Sequence, residues 1–326
     1  MDLSVVIPVY NEQESVEKLC EQLHASLSKA QHSFEIIIVD DGSTDATWSL
    51  LSACAERYPH FQLIRFRRNF GQTAAMSAGF HHARGDVIVT LDGDLQNDPD
   101  DIPKLIERME QGADVVSGWR KDRRDPFINR RLPSIIANWL ISRITGVHLH
   151  DYGCTLKAYR REIIQDVHLY GEMHRFIPAL ASWVGGKVDE VVVAHHPRRF
   201  GQSKYGLSRT FRVILDLFTV KFLMRYSMGP MQMFGKIGLF FMLPGLLLFA
   251  IMISGHVSFL LFDTALASEL VKRPFWLVSA TMLVFLGMQF ISMGLLAEIQ
   301  IRTYHEAQSK RTYVIRETVT SPGERV

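Results

Sequence analysis

The sequence predicts an α/β domain with a mostly parallel sheet, followed by two helices that cross a membrane. Three observations carry that expectation. Short β-branched runs alternate with amphipathic stretches through the first half, the pattern of βαβ units. Two of those runs end in acid, "VDDGS" (39–43) and "TLDGD" (90–94), at the strand ends where open α/β sheets bind ligands. Two later stretches, 237–262 and 274–297, contain no Lys, Arg, Asp or Glu and exceed the roughly 18–20 residues that a bilayer core requires.

The elements follow in order. Strands are expected at 3–10, 34–41, 61–67, 86–92 and 114–120, with helices at 15–30, 46–57, 72–82 and 100–111. Asp45 follows a turn-rich "DGST", and Asp98-Pro99 places a cap before a proline at the first helical position. The stretch 127–146 is apolar on one face and basic at its ends, which suits either a helix at a bilayer surface or an amphipathic core helix. A second such stretch, the juxtamembrane 207–231, carries Arg209, Arg212, Lys221 and Arg225. The transmembrane hairpin then occupies 232–298, and a tail of 299–326 follows that reads as disordered beyond Ile315. Basic residues flank the outer ends of the hairpin. The positive-inside rule therefore assigns both termini and the domain of residues 1–206 to the cytoplasm. Gly287 and Gly294 are small residues of the kind that bring membrane helices together, which favours a homo-oligomer, with a tetramer among the options.

Composition excludes some classes. A formal charge of +2 is too small for a strongly basic nucleic-acid binder. Cys20, Cys54 and Cys154 are far apart and follow no metal spacing, so they read as reduced thiols. The N-terminal apolar run is short and lacks a basic lead, unlike a signal peptide.

The acid cluster of 92–101 asks for a cation. A calcium loop starting at Asp92 would need Gly and Glu where Asn97 and Pro103 stand, so that reading fails. Mg²⁺ or Mn²⁺ fits better, because one or two carboxylates suffice when substrate phosphates complete the shell. Asp92 and Asp94 suit that task across Gly93, while Asp98, Asp100 and Asp101 suit helix initiation. "PVYNE" (8–12) and "VDDGS" place carboxylates where a base imino group or ribose hydroxyls could bind, and no dinucleotide fingerprint or P-loop occurs. His148, His150, His195 and His196 lack metal spacing and read as surface or phosphate-adjacent groups. Arg120, Lys121, Arg123 and Arg124 form one basic cluster, and Arg198, Arg199 and Lys204 another.

The tracts "VVIPVYNE", "IIVDDGSTD", "RNFGQTAAMSAGF", "TLDGDLQNDPDDIPKL", "DYGCTLKAYRR" and "FGQSKYG" resemble family 2 glycosyltransferases of GT-A fold, in their polyprenyl-phosphate branch. The resemblance implies a membrane-bound inverting enzyme that moves a sugar from a nucleotide diphosphate-sugar to a polyprenyl phosphate such as undecaprenyl phosphate. It implies that Pro8, Tyr10, Glu12 and Asp41 line the nucleotide pocket, with Asp92 shared between nucleotide and metal. Asp92, Asp94 and Gln96 would hold the metal and diphosphate, and Arg120, Arg131, Arg198 and Lys204 would handle phosphates. Asp151 would lie near sugar and acceptor, orienting them more than removing a proton. UDP is favoured over GDP by analogy. The setting would be a bacterial inner membrane, with a separate flippase for the product. Rivals are a GDP-mannose-dependent synthase and a catalytically idle scaffold of the same fold. A processive polysaccharide synthase is disfavoured, since no Gln-x-x-Arg-Trp occurs.

Overall fold

The computed structural model describes residues 2–29, 32–121, 132–165, 167, 169, 173–197, 217, 220–222, 230–262, 274–307, 315–320 and 324–325. They fall into two compact units, Met1–Lys221 with Arg311–Val326, and Phe222–Lys310.

The first unit is layered around one sheet. Its strands are β1 (Leu3–Val9), β2 (Phe34–Asp40), β3 (Phe61–Phe66), β4 (Val87–Thr90), β5 (Val115–Trp119), β6 (Lys157–Arg160), β7 (Val188–Val192), β8 (Ile315–Thr320) and β9 (Glu324–Arg325), in the order β7-β5-β6-β4-β1-β2-β3-β8-β9. β4, β1, β2 and β3 run parallel, joined by α1 (Val16–Leu27), α2 (Thr47–Arg57) and α3 (Gln72–His82). β2 is buried along its whole length, as a central parallel strand covered on both faces must be. Val16, Leu19, Cys20, Leu23 and Leu27 recur at helical spacing and put one face of α1 into the core shared with β1 and β2. α4 (Ile102–Glu110) joins the same core through Ile102, Leu105 and Met109. α3 covers the opposite face so tightly that a Cβ on Gly79 would stand 2.1 Å from Val6 Cγ1.

Four strands were not foreseen, β6 to β9. β6 is short, begins and ends in cations, and inserts antiparallel between β4 and β5, so no period-two run announces it. β7 pairs with β5 at a sheet edge and is only half-buried. β8 overturns the expectation of disorder beyond Ile315. It pairs antiparallel with β3 from Gln62↔Thr320 to Phe66↔Ile315. Its β-branched residues favour a strand, and its pairing covers backbone groups of β3 that an open edge would expose.

Between β5 and β7 lie α5 (Leu132–Thr145), α6 (Arg161–Gln165) and α7 (Ile177–Trp183). On α5 Ile141 is buried but Trp139 is 62% exposed and Ile135 is exposed too, so the helix is not wholly a core element. Trp139 and Trp183 are therefore not interior packing residues.

The second unit is a pair of antiparallel helices, α8 (Pro230–Phe262) and α9 (Pro274–Ala307). Both are long and apolar enough to cross a membrane, and most of their side chains are unburied, Phe240 at 71% and Met282 at 67%. That outward apolarity separates them from soluble core helices, whose apolar face is covered. The glycines correct one line of reasoning. A Cβ on Gly287 would stand 2.6 Å from Gly238 O, and one on Gly294 would stand 2.8 Å from Phe234 Cβ. These small residues let α8 and α9 of one chain approach each other, so they are not evidence for association between chains. The expected juxtamembrane segment 207–231 falls mostly outside the described residues, and residues 263–273 fall wholly outside them.

Gly287→Leu should force the two helices apart and lower stability by about 2 kcal/mol, the usual scale of overpacking. Gly255, which has nothing within 4 Å of its Cβ position, serves as the control, and Gly255→Leu should leave thermal unfolding in detergent unchanged.

Candidate active site

The parallel registers Val9↔Asp40 and Val6↔Thr90 bring the ends of β1, β2 and β4 to one rim, where Tyr10, Asp41 and Asp92 follow. Hydrogen bonds tie the first two loops together. Asp41 N donates to Val9 O (2.9 Å), Asn11 N to Ser43 Oγ (2.9 Å), Thr44 N to Asn11 Oδ1 (2.9 Å) and Glu12 N to Thr47 Oγ1 (2.9 Å). Asn11 takes φ of 55°, an excursion that Asn tolerates better than most residues. Pro8, Tyr10 and Glu12 are half-buried along this rim. Asp41 is buried, and both its oxygens accept amides, from Phe70 (2.7 Å) and Gly71 (2.9 Å). Burial raises its pKa against the pull of those amides. The carboxylate expected at the base is thus already fixed to the loop that starts α3.

The β4 end carries the acid pair. Asp92 is half-buried, and its Oδ1 accepts from Gln72 Nε2 at 2.8 Å. Burial first and the Asp94 charge second push its pKa up to about 6, while Thr155, Arg120 and Lys157 favour its ionised form. Gly93 is needed between the two acids, because a Cβ there would stand 2.8 Å from Val9 Cγ1. Leu95 sits at φ of 62°, and Asp94 Oδ1 accepts from Gln96 N at 3.1 Å. Gln96 is tied to the segment after β7: its O accepts from His196 N (2.9 Å) and its Nε2 donates to His196 O (3.4 Å). Ser15 Oγ links the two loops, 2.9 Å from Glu12 Oε2 and 3.1 Å from Gly93 O.

Cation stands beside acid. Arg120 follows β5 and makes a bidentate pair with Asp151, Nε to Oδ2 at 2.7 Å and Nη2 to Oδ1 at 3.0 Å. Asp151 is 3% exposed and the Arg120 side chain 12%. Burial works against the guanidinium's charge, but Asp151 outweighs it and holds the pKa above its ordinary value. The structure therefore brings Asp92, Asp94, Gln96, Arg120 and Asp151 into one neighbourhood beside Pro8, Tyr10, Glu12 and Asp41. Arg131, Arg198 and Lys204 lie outside the described residues.

Asp98, Asp101, His150 and His196 have structural partners. Asp98 caps the 3₁₀ turn of Pro99–Asp101 by accepting from Asp100 N (3.0 Å) and also meets His196 Nε2 (3.0 Å). Asp101 accepts from Ala194 N at 2.6 Å. His150 stacks on Trp119 with ring centroids 4.1 Å apart and pairs with Glu190. Sequence reasoning missed Gln72 and Thr155, which hold Asp92, and the buried Lys157. A polar residue directly after a loop glycine was a usable signal for Gln72. Lys157, inside "CTLKAY", offered only the oddity of a cation in an apolar run.

Among the described residues no group of three or more His, Cys, Asp or Glu side chains gathers to bind a metal. Two mutually repelling carboxylates at a rim nevertheless suit a divalent cation that arrives with phosphate oxygens. The donor set fits that kind of ion.

Residues 4–167 match the profile of glycosyl transferase family 2. The chain belongs to that family. Its fold agrees: the family 2 chain superposes on mannosyl-3-phosphoglycerate synthase from Rubrobacter xylanophilus with a TM-score of 0.57 at 15% identity, covering 68% of this chain and 74% of that one. Glucosyl-3-phosphoglycerate synthase from Mycobacterium tuberculosis, solved with Mn²⁺, UDP and phosphoglyceric acid, gives 0.54 at 18% identity, covering 68% and 78%. Sequence likeness extends much further than these folds. A dodecaprenyl-phosphate galacturonate synthase from Rhizobium johnstonii is 46% identical, covering 97% of this chain and 93% of its own. An undecaprenyl-phosphate 4-deoxy-4-formamido-L-arabinose transferase from Pseudomonas syringae is 39% identical, covering 98% and 91%.

The raised pKa of Asp92 has a consequence for stability. Stabilisation by the protonated acid is complete below its ordinary value of 3.8 and is lost as pH rises through about 6. In chelator at pH 7.5, Asp92→Asn should therefore raise stability by about 1–2 kcal/mol, after discounting for partial exposure. At pH 4 the gain should vanish, and thermal unfolding at the two pH values checks it.

Proposed function

We propose that the protein is an inverting, divalent-metal-dependent glycosyltransferase that moves a sugar from a UDP-sugar to a polyprenyl phosphate. The full-length likeness to two kinds of polyprenyl-phosphate glycosyltransferase, with the two apolar helices inside the matched region, carries this reading. The site chemistry supports it. Two anionic substrates must meet, and carboxylates stand next to a guanidinium where a diphosphate and a phosphate would both need neutralising.

When bound, a Mg²⁺ or Mn²⁺ ion held by Asp92 and Asp94 with Gln96 beside them would neutralise the leaving diphosphate. Gln72 and Thr155 keep Asp92 oriented for that contact. Pro8, Tyr10, Glu12 and Asp41 form the wall for base and ribose. Arg120, fixed by Asp151, receives a phosphate, and the family resemblance assigns further phosphate contacts to Arg131, Arg198 and Lys204. An oxygen of the lipid phosphate forms the new bond to the anomeric carbon. The old bond to the diphosphate oxygen breaks, and its electron pair leaves with the nucleoside diphosphate. A phosphate monoester, with a second pKa of about 6, is largely ionised at neutral pH, so no protein base is required. Asp151, already bonded to Arg120 through both oxygens, serves as an orienting group.

The finer assignments belong to the same reading. Residues 1–206 form the catalytic domain, on the cytoplasmic side of a bacterial inner membrane with both termini. The product is moved across by a separate flippase, and the enzyme works as a homo-oligomer.

The test is transfer of labelled sugar to undecaprenyl phosphate by the full chain in detergent, with UDP-galacturonate and UDP-4-deoxy-4-formamido-L-arabinose compared against GDP-mannose. Transfer from a UDP-sugar only with Mg²⁺ or Mn²⁺ is expected. Folded protein that transfers from none of these or other common donors would contradict the reading and favour an idle scaffold. Asp151→Asn should lower kcat roughly 10–100-fold, the scale of a misplaced positioning group. The rise in rate between about pH 5 and 7, set by acceptor ionisation, should survive in that variant. Its disappearance would assign the base role to Asp151.

A further inference from the structure

Lys157 is the first residue of β6 and is 3% exposed, although lysine is rarely so fully buried. Its ammonium donates to two backbone carbonyls, Tyr152 O at 3.2 Å and Cys154 O. Both carbonyls belong to the turn that begins at Asp151, which is also closed by Gly153 N donating to Asp151 Oδ1 at 3.1 Å. The turn is cramped on its outer side as well. A Cβ on Gly153 would stand 3.3 Å from Arg120 Nη2 and 3.4 Å from Asp151 Oδ1. On its far side Thr155 is anchored to the β4 rim, its O accepting from Thr90 Oγ1 (2.7 Å) and its Oγ1 from Asn97 Nδ2 (2.9 Å).

A buried ammonium is unfavourable unless its hydrogens are bonded and opposite charge is near. Burial does lower the pKa of Lys157, while Asp151 and Asp92 favour its charged form. An apolar side chain would fill this strand position without that cost. What the lysine adds is a link: ammonium to the carbonyls of Tyr152 and Cys154, turn to the Asp151 carboxylate, carboxylate to the Arg120 guanidinium. Each joint is a hydrogen bond in a buried setting, where misalignment is poorly tolerated.

We propose that Lys157 is a positioning residue that fixes the turn of 151–154 and, through Asp151, the direction of Arg120. It acts without touching substrate. Its effect on turnover rests on the reading of Arg120 as a phosphate-handling group, but its effect on Arg120 itself does not.

The experiment uses the full chain in detergent and reads two quantities. One is the rate at which phenylglyoxal modifies Arg120, followed by peptide mass mapping without any substrate. The other is kcat and KM for sugar transfer. In Lys157→Met, Arg120 should be labelled roughly 10-fold faster or more, and kcat should fall roughly 10–100-fold with a smaller change in KM for the donor, the range that coupling between neighbouring polar groups spans. Lys157→Arg, which can still donate to both carbonyls, should keep labelling near the unsubstituted rate and recover most of kcat. In an Asp151→Asn background, Lys157→Met should add little further loss. Unchanged Arg120 labelling in folded Lys157→Met would overturn the proposal, as would losses that simply multiply. If Lys157→Met does not fold, Lys157→Arg decides alone: faster Arg120 labelling or a kcat as low as that of Asp151→Asn overturns the proposal, and retention of both supports it. Absence of transfer in the unsubstituted enzyme would count against the glycosyltransferase reading, whereas the labelling result would still judge Lys157.

Discussion

The repulsion between Asp92 and Asp94 at the end of β4 is the constraint around which the site is arranged. The two half-buried carboxylates are separated by one residue, and burial first and the Asp94 charge second push the pKa of Asp92 up to about 6. The fold maintains this unfavourable pair with several devices at once. Gly93 admits the close approach to Val9, Leu95 accepts a left-handed backbone, and Gln72 holds Asp92 from the first turn of α3. Such concentrated local cost is expected where a ligand supplies the missing interaction.

The complementary charge is built with equal care. Arg120 and Asp151 satisfy each other bidentately, so the guanidinium is held in one orientation, within electrostatic reach of Asp92. A buried ion pair is a poor source of stability, since desolvation offsets much of its attraction. Its value here is direction. In the proposed transfer, an acceptor that is already ionised needs positive charge at a defined place more than it needs a base, and that is the part we propose for the Asp–Arg pair.

Much of this was legible in the chain. The βαβ alternation located β1 to β5, and the charge-free lengths located α8 and α9, because each pattern reports a single local environment. Asp98 read as a cap and is one, since capping depends only on the residues that follow it. What stayed hidden depends on partners distant in sequence. β6 is defined by two neighbouring strands and not by its own four residues. β8 closes an edge strand some 250 residues upstream, by the numbering of the paired residues Gln62 and Thr320. Gln72 and Lys157 matter for the atoms they reach, and the glycines of the hairpin turned out to serve one chain. The family resemblance pointed to Asp151 and Arg120 separately, and only the structure joined them.

The central claim is that the acid pair is completed by a cation from outside the chain. Infrared difference spectroscopy between the unsubstituted protein and Asp92→Asn isolates the protonated carboxyl band of Asp92. In chelator that band should titrate with a midpoint of about 6, and at the same pH it should be lost when Mg²⁺ is added with UDP. An Asp92 that is already ionised throughout the weakly acidic range in chelator, or a band unmoved by the cation, would contradict the account.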